Sequence, residues 1–261
     1  MTGLLVLEDA TVSYRQAGSR RLTAVDRVSL QVAPGEVVGL VGESGCGKST
    51  LAKAVCGLEP LSGGTATFDG DPIAPLGLRR RPERLQRIQM VFQNPYASLN
   101  PRRRVGVQIE DARRIHPGTP QTVAELLALV ELGADTAAKY PHEFSGGQRQ
   151  RIAIARAVAA GPELLIGDEP IASLDASLQA KVALLMRQVA LEHGSSLLFI
   201  SHDLAVVRII ADRVVVMKSG RVVEQGPTDQ IWSNPQEPYT QRLLRAIPEA
   251  DGLGRLPEVE V

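Results

Sequence analysis

Residues 42–50, "GESGCGKST", combine glycines, a lysine and hydroxyl side chains at the spacing G-x-x-x-x-G-K-[ST]. Glycines let the backbone N–H groups of such a loop converge on phosphate oxygens. Lys48 is expected to reach the β- and γ-phosphates of a nucleotide, and the Ser49 hydroxyl is expected to bind Mg²⁺. The other loop residues expected to contact the nucleotide are Gly42, Ser44, Gly45, Gly47 and Thr50. The motif predicts a phosphate-binding loop.

Two adjacent carboxylates follow the apolar segment 164–167, "LLIG", which predicts a buried strand. At the end of that strand, Asp168 would hold the metal through water. Glu169 would orient or deprotonate an attacking water molecule. His202 follows a second apolar segment and is expected to contact the γ-phosphate. A core histidine with satisfied hydrogen bonds is the alternative for that residue.

A second glycine-rich segment, "EFSGGQRQRIAIARA" at residues 143–157, opens a predicted helix. Helix N-termini attract anions through their free N–H groups and the helix dipole. Ser145 can offer a hydroxyl there, and Gly146 and Gly147 can offer N–H groups. The segment has no lysine, so it is expected to bind phosphate poorly by itself.

Alternating strands and helices must position these groups. Apolar segments at 36–41, 163–170 and 196–201 predict buried strands, and 48–57 and 177–194 predict helices. Further strands are expected at 4–15, 24–35 and 65–70, a largely helical region at about 94–160, a hairpin at 213–226 turning at Ser219 and Gly220, and two short helices with a loose acidic tail after Pro227. This alternation predicts an α/β core with a parallel sheet.

Composition narrows the class of protein. The 261 residues carry 29 Lys+Arg and 29 Asp+Glu, so the net charge of zero gives no reason to expect nucleic acid as a partner. No apolar run approaches the ~18 residues of a membrane span. Glu8 and Asp9 interrupt the segment where a signal peptide would need an apolar core. Two cysteines form no spaced framework, which favours a reducing compartment and the cytosol.

The order of the motifs resembles the ATP-binding cassette (ABC) ATPases over nearly the whole chain. The matching segments are the phosphate loop, "VFQNP" with Gln93, "FSGGQ", "LLIGDEP", "SLD" with Asp175, and "FISHD" with His202. The resemblance implies a P-loop (RecA-like) nucleotide-binding core, an antiparallel β subdomain and an inserted helical subdomain. It implies ATP and Mg²⁺ as cofactors, with Gln93 touching Mg²⁺ and the attacking water. Tyr14 matches the aromatic residue that stacks on adenine.

The resemblance also explains the second glycine-rich segment. ABC ATPases work as head-to-tail pairs, in which ATP is clamped between the phosphate loop of one subunit and the Ser-Gly-Gly helix of the other. Ser145, Gly146, Gly147 and Gln148 would then serve the partner's nucleotide. Asp175 matches a loop that contacts the partner across the interface.

Three segments, 93–105, 140–151 and 234–248, resemble more narrowly the ATPases of bacterial peptide and nickel importers, in particular the second of the two ATPases that these importers pair. This implies an ATPase domain at 1–235 and a C-terminal tail at 236–261. It also implies a second ATPase, two membrane permeases and, indirectly, an extracytoplasmic substrate-binding protein. The chain would lie peripherally on the cytoplasmic face of the bacterial inner membrane.

Some positions depart from the pattern, and some alternatives stay open. Glu237 stands where these tails usually carry histidine, and "EPIASLD" replaces the common "EPTSALD", so interface contacts near 171–173 are expected to differ. The cargo can be a dipeptide, a longer peptide or nickel, and the partner can be identical or different. A soluble ABC protein of DNA repair or translation is the main rival. A simple P-loop kinase would leave "FSGGQ" unexplained.

Overall fold

The computed structural model describes residues 3–15, 21–77, 81–115, 121–172 and 174–247. Its strands are β1 (Leu5–Arg15), β2 (Arg21–Val32), β3 (Val37–Val41), β4 (Gly63–Phe68), β5 (Asp71–Pro72), β6 (Ile88–Val91), β7 (Leu164–Asp168), β8 (Ser196–Ile200), β9 (Arg213–Lys218) and β10 (Arg221–Pro227). Its α-helices are α1 (Lys48–Val55), α2 (Glu83–Gln86), α3 (Pro95–Ser98), α4 (Val105–Arg113), α5 (Val123–Leu129), α6 (Gly146–Ala159), α7 (Ala176–Glu192), α8 (Leu204–Ile210), α9 (Thr228–Ser233) and α10 (Pro238–Arg245). Short 3-10 helices span Ala134–Ala138 and Pro141–Glu143.

The main sheet has the strand order β10-β9-β3-β8-β7-β6, with parallel pairing from β9 to β6 and an antiparallel β10 at one edge. Strands β3, β7 and β8 are buried along their whole length, which is why they are continuous apolar runs in the sequence. The carboxyl ends of parallel strands meet at one edge of a sheet, where ligands bind in open α/β folds. The segments after β3, β6, β7 and β8 therefore come together.

Two hydrophobic cores cover the two faces of this sheet. One core joins the sheet to α1 and to an antiparallel sheet of order β2-β1-β4-β5, with Leu5, Leu51 and Phe68 fully buried. The other core joins it to α7, α8 and the helical block between β6 and β7, which comprises α3 to α6; Ile109 and Leu126 lie at its centre. The predicted fold class, an α/β core with an antiparallel sheet and an inserted helical block, is confirmed.

Most predicted elements appear within a few residues of their expected bounds. The hairpin turns at Ser219 (φ 48°) and Gly220 (φ 83°), and the positive φ at both residues is that of the tight turn predicted there. The two short helices after Pro227 are α9 and α10. The acidic tail at 248–261 lies outside the described residues, as does Ser173 of "EPIASLD". Strand β6 and helices α2 and α8 had not been predicted.

Candidate active site

The phosphate loop connects β3 to α1, and its backbone requires glycine at two positions. Gly42 has φ 146°, and a Cβ there would lie 2.1 Å from the carbonyl oxygen of Met217. Gly47 has φ 107°, and a Cβ there would lie 2.3 Å from the carbonyl oxygen of Ala24. The loop is therefore packed so closely against the neighbouring backbone that only glycine fits at these two positions.

The Lys48 side chain is buried beneath this loop. Its ammonium group donates hydrogen bonds to the carbonyl oxygens of Gly42 at 2.7 Å and Glu43 at 2.9 Å. The same nitrogen lies 4.0 Å from Oε1 of Glu169. It also lies 3.8 Å from Sγ of Cys46. The ammonium can transfer from the carbonyl oxygens to phosphate oxygens, which are stronger acceptors because they are charged.

Asp168 ends β7 directly beside the loop. Its Oδ1 accepts a hydrogen bond from the Ser49 hydroxyl at 2.7 Å. Burial raises the pKa of the Asp168 carboxyl; the hydrogen bond from Ser49 opposes that effect and the charge of Glu169 adds to it. The two side chains present a hydroxyl and a carboxylate at one point, which is the oxygen chemistry that Mg²⁺ prefers.

Glu169 follows Asp168 in a sparsely populated backbone conformation, with φ 46°. Its N–H donates to the carbonyl oxygen of Ile200 on β8 at 2.9 Å, which holds the turn in place. Its Oε2 lies 3.4 Å from Nδ1 of His202, an exposed side chain. Strained residues of this kind cluster at functional sites. The turn holds the Glu169 carboxylate between a buried lysine and an accessible histidine.

A cleft of about 250 Å³ opens above these groups. Its lining residues are Ala24, Ser44, Gly45, Gly47, Lys48, Ser49, Thr50, Gln93 and Glu169. Gln93 reaches the cleft from the end of strand β6, and its exposed side chain lines the same space as Ser49. The structure thus gathers most of the phosphate-loop and catalytic residues that the sequence had predicted as one site.

Comparison with known proteins identifies the family. The model of the family described as "ABC transporter" matches residues 25–172, and that of "Oligopeptide/dipeptide transporter, C-terminal region" matches residues 223–260. This chain belongs to the ABC transporter family. The matched ranges contain the phosphate loop, both carboxylates and helix α10.

Curated relatives of this ABC protein include the oligopeptide transport ATP-binding protein OppF of Bacillus subtilis, 47% identical over 237 residues, which cover 87% of this chain and 77% of the relative. The protein of the same name from Streptococcus mutans is 42% identical over 254 residues, 95% of this chain and 82% of the relative. Among solved structures, the dimeric ATP-binding cassette MJ0796, bound to ADP and Pi, is similar with a TM-score of 0.72 at 27% identity. The matched region covers 86% of this chain and 98% of the MJ0796 chain. A second solved structure, cbiO1 from Clostridium perfringens, has a TM-score of 0.71 at 26% identity. The matched region covers 90% of this chain and 92% of the cbiO1 chain.

The second glycine-rich segment of the ABC protein does not line the cleft. Ser145 caps α6: its Oγ accepts from the N–H of Gln148 at 3.3 Å, and Oε1 of Gln148 accepts from the N–H of Ser145 at 2.9 Å. Ser145 and Gly146 are exposed, and a Cβ at Gly146 would meet no atom within 4 Å. Gly147 is buried, and a Cβ there would lie 2.4 Å from Cδ2 of Leu178. The helix start is therefore rigid, capped and open to solvent.

Gly42, Asp168 and His202 do not line the cleft themselves, but they contact the lining residues Lys48, Ser49 and Glu169 in that order. Tyr14 and Asp175 are not among the lining residues either. Tyr14 is near the end of β1, opposite Leu22 of β2, and packs partly buried against the core of the antiparallel sheet. Asp175 is the N-cap of α7, where its Oδ1 accepts from the N–H of Leu178 at 3.0 Å. Ala24 also lines the cleft and was not predicted, because an alanine in a strand carries no chemical signal.

Proposed function

We propose that this chain is the ATP-hydrolysing subunit of an ABC importer that takes up peptides through membrane permease subunits. One observation carries the proposal: a single cleft joins the phosphate loop, the Ser49–Asp168 pair and the Glu169 carboxylate. Membership of the ABC transporter family supports ATP as the nucleotide. The match to the oligopeptide/dipeptide C-terminal region, and relatives named for oligopeptide transport, support a peptide cargo over nickel.

Nucleotide binding in this account begins with Lys48. Its ammonium exchanges the carbonyl oxygens of Gly42 and Glu43 for the β- and γ-phosphates. The N–H groups from Gly45 to Thr50 at the start of α1 bind the same phosphates, helped by the helix dipole. Tyr14 would stack on the adenine ring.

The oxygen atoms of Ser49, Asp168 and Gln93 suit Mg²⁺, which needs few protein ligands when phosphates and water complete its shell. Ser49 would bind the ion through its hydroxyl, Asp168 through water and Gln93 through its amide oxygen. The ion would supply charge that neutralises the β- and γ-phosphate oxygens.

Hydrolysis then depends on the turn after β7. The Glu169 carboxylate orients the attacking water and accepts its proton as the water oxygen bonds to the γ-phosphorus. The bond from that phosphorus to the β,γ-bridging oxygen breaks in the same displacement, and ADP leaves with the bonding electron pair. Gln93 contacts the same water from the other side of the cleft. His202, 3.4 Å from Glu169, contacts the γ-phosphate and fixes the carboxylate.

The start of α6 would act on a second ATPase subunit. Its residues Ser145, Gly146, Gly147 and Gln148 lie outside the chain's own cleft. Ser145 and Gly146 are exposed, so the helix start is accessible to a nucleotide held by a partner. Asp175, at the start of the neighbouring helix α7, would contact the partner. A head-to-tail pair agrees with the description of the solved cassette MJ0796 as dimeric.

The remaining organisation is proposed from the family. Residues 1–235 would form the ATPase domain, with the helical subdomain at about 94–160, and 236–261 the C-terminal tail. No helix in the described part of the chain is long and apolar enough to cross a membrane. Two permeases would hold the chain at the cytoplasmic face of the inner membrane, and a substrate-binding protein would deliver the cargo outside.

The test is reconstitution of the chain with its two permeases and second ATPase in vesicles that enclose ATP, with the substrate-binding protein added outside. We expect uptake of labelled oligopeptides or dipeptides, and loss of uptake with Glu169→Gln. Uptake of nickel alone would contradict the peptide assignment. ATP hydrolysis that responds to DNA or ribosomes and not to the permeases would contradict the importer itself.

A further inference from the structure

Helix α10, in the C-terminal region of the chain, reaches the phosphate loop. Its residue Tyr239 is only 5% exposed and belongs to the core that joins the main sheet to the helical block. The Tyr239 hydroxyl accepts a hydrogen bond from the N–H of Glu43, the second residue of the loop, at 3.1 Å. None of the nucleotide-site residues predicted from the sequence lies in this helix, so the contact calls for an explanation.

The Glu43 N–H belongs to the same peptide unit as the Gly42 carbonyl. That carbonyl oxygen accepts the Lys48 ammonium at 2.7 Å. One peptide plane is therefore held from both sides, by Tyr239 at its N–H and by Lys48 at its oxygen. Because a peptide unit is planar, rotating it away from Tyr239 would also turn the carbonyl away from Lys48.

The Tyr239 side chain is itself fixed. The Lys218 ammonium lies over its ring, 4.9 Å from the centroid, at the end of β9. Burial raises the pKa of the Tyr239 hydroxyl, so the group is a neutral phenol at physiological pH and an ordinary hydrogen-bond acceptor for an amide. The ring, β9 and the loop thus form one packed unit.

We propose that Tyr239 is a positioning residue of the nucleotide site, which holds the Gly42–Glu43 peptide in the orientation from which Lys48 transfers to phosphate. The proposal rests on the nucleotide-binding function proposed above. A glycine-rich loop without this contact has more backbone freedom, which nucleotide binding must then remove. Through Tyr239 the C-terminal region becomes part of the nucleotide site.

The neighbouring residue supplies a matched control. Thr240 lies on the same helix and is 2% exposed, and its hydroxyl has no hydrogen-bond partner among the described residues. Tyr239→Phe and Thr240→Val each remove one buried hydroxyl from α10 while keeping the shape of the side chain. Only the first removes a contact to the phosphate loop.

The experiment measures the Kd of the full chain for ADP with Mg²⁺ by calorimetry, below the melting temperature of every variant. ADP carries the β-phosphate that Lys48 reaches and is not turned over. Without the Tyr239 contact, ADP binding must order the Gly42–Glu43 peptide, so Tyr239→Phe should bind ADP about fivefold more weakly than the wild type. Thr240→Val should bind ADP as the wild type does. In the assembled transporter, Tyr239→Phe should raise KM for ATP by a similar factor and leave kcat unchanged.

Wild-type ADP affinity in Tyr239→Phe would overturn the inference, even if the variant melted at a lower temperature. Equal weakening in Tyr239→Phe and Thr240→Val would also overturn it, since both would then reflect general packing of α10. A wild-type chain that does not bind ADP would instead refute the proposed nucleotide site, and the role of Tyr239 with it.

Discussion

Ser145 separates the structural and functional roles of the start of α6. Its Oγ caps the helix by accepting from the Gln148 N–H at 3.3 Å, and the reciprocal bond from the Ser145 N–H to Oε1 of Gln148 is 2.9 Å. Asp and Asn cap helices as well as Ser does. Ser145→Asp and Ser145→Asn should therefore both keep the free energy of unfolding within about 0.5 kcal/mol of the wild type, whereas loss of a cap costs about 1 kcal/mol.

The two variants differ by one negative charge at an exposed position. If a partner's γ-phosphate sits against this helix start, Ser145→Asp puts like charges about 4 Å apart, which repel by about 4 kcal/mol in a partly solvated site. Hydrolysis at that site should fall by a factor of about 10³ in Ser145→Asp. Ser145→Asn brings no charge and keeps a hydrogen-bond donor, so its loss should stay below about tenfold.

The assay combines two measurements. In the isolated chain, both variants should bind ATP with wild-type affinity, because Ser145 does not line the chain's own cleft. In the assembled ATPase pair, single-turnover hydrolysis is measured at the partner's phosphate loop, with this chain's loop silenced by Lys48→Ala.

Equal hydrolysis in Ser145→Asp and Ser145→Asn would refute the placement of phosphate at this helix start. Loss of ATP affinity in the isolated Ser145→Asp chain would show that the segment serves its own cleft.

Two further predictions concern groups outside the cleft. Burial raises the pKa of Glu163, but its hydrogen bonds with Arg84 (2.6 Å) and Arg87 outweigh burial and leave that pKa lowered. Glu163→Gln should therefore reduce the free energy of unfolding by about 1 kcal/mol above pH 5, and this loss should shrink as pH falls below about 4.3, the usual pKa of Glu. Urea unfolding of the variant and the wild type at pH 7 and pH 3.5 tests this, with the exposed Glu131→Gln as control. The same loss of stability at both pH values would contradict it. Burial raises the pKa of the Cys56 thiol to about 12. Iodoacetamide at pH 8 should therefore leave Cys56 unmodified in the folded chain and modify it in urea, as measured by mass spectrometry. Rapid labelling of Cys56 in the native protein would contradict this.

The sequence predicted the parts of the fold that have strong local patterns. Strands β3 and β7 are short apolar runs buried on both faces. The phosphate loop after β3 and Asp168 at the end of β7 could be placed from that pattern alone. Strand β6 was missed because it has only four residues, one of them the half-buried Gln89. A periodic pattern needs a longer segment before it can be recognised.

Parts of the site depend on tertiary contacts that no local pattern encodes. Tyr239 is nearly two hundred positions from the loop it contacts, and nothing in its neighbourhood in the sequence indicates a phosphate loop. The cap of α6 was readable, since Ser145 and Gln148 have the spacing of a capping box. That this helix start binds the phosphate of a partner subunit's nucleotide was inferred from family resemblance, because the sequence of one chain does not encode a visible pattern for an interface between two subunits.

In the proposed function, one cleft both binds ATP and hydrolyses it: Lys48 binds the phosphates, and Glu169 acts on the attacking water. The direct test measures ATP affinity and single-turnover hydrolysis of Lys48→Ala and Glu169→Gln in the assembled transporter. Lys48 contacts ground-state phosphates, so Lys48→Ala should lose ATP binding. Glu169 acts on water during the reaction, so Glu169→Gln should bind ATP at wild-type affinity and hydrolyse it at least about 10² times more slowly. Near-normal hydrolysis by Glu169→Gln would contradict the account.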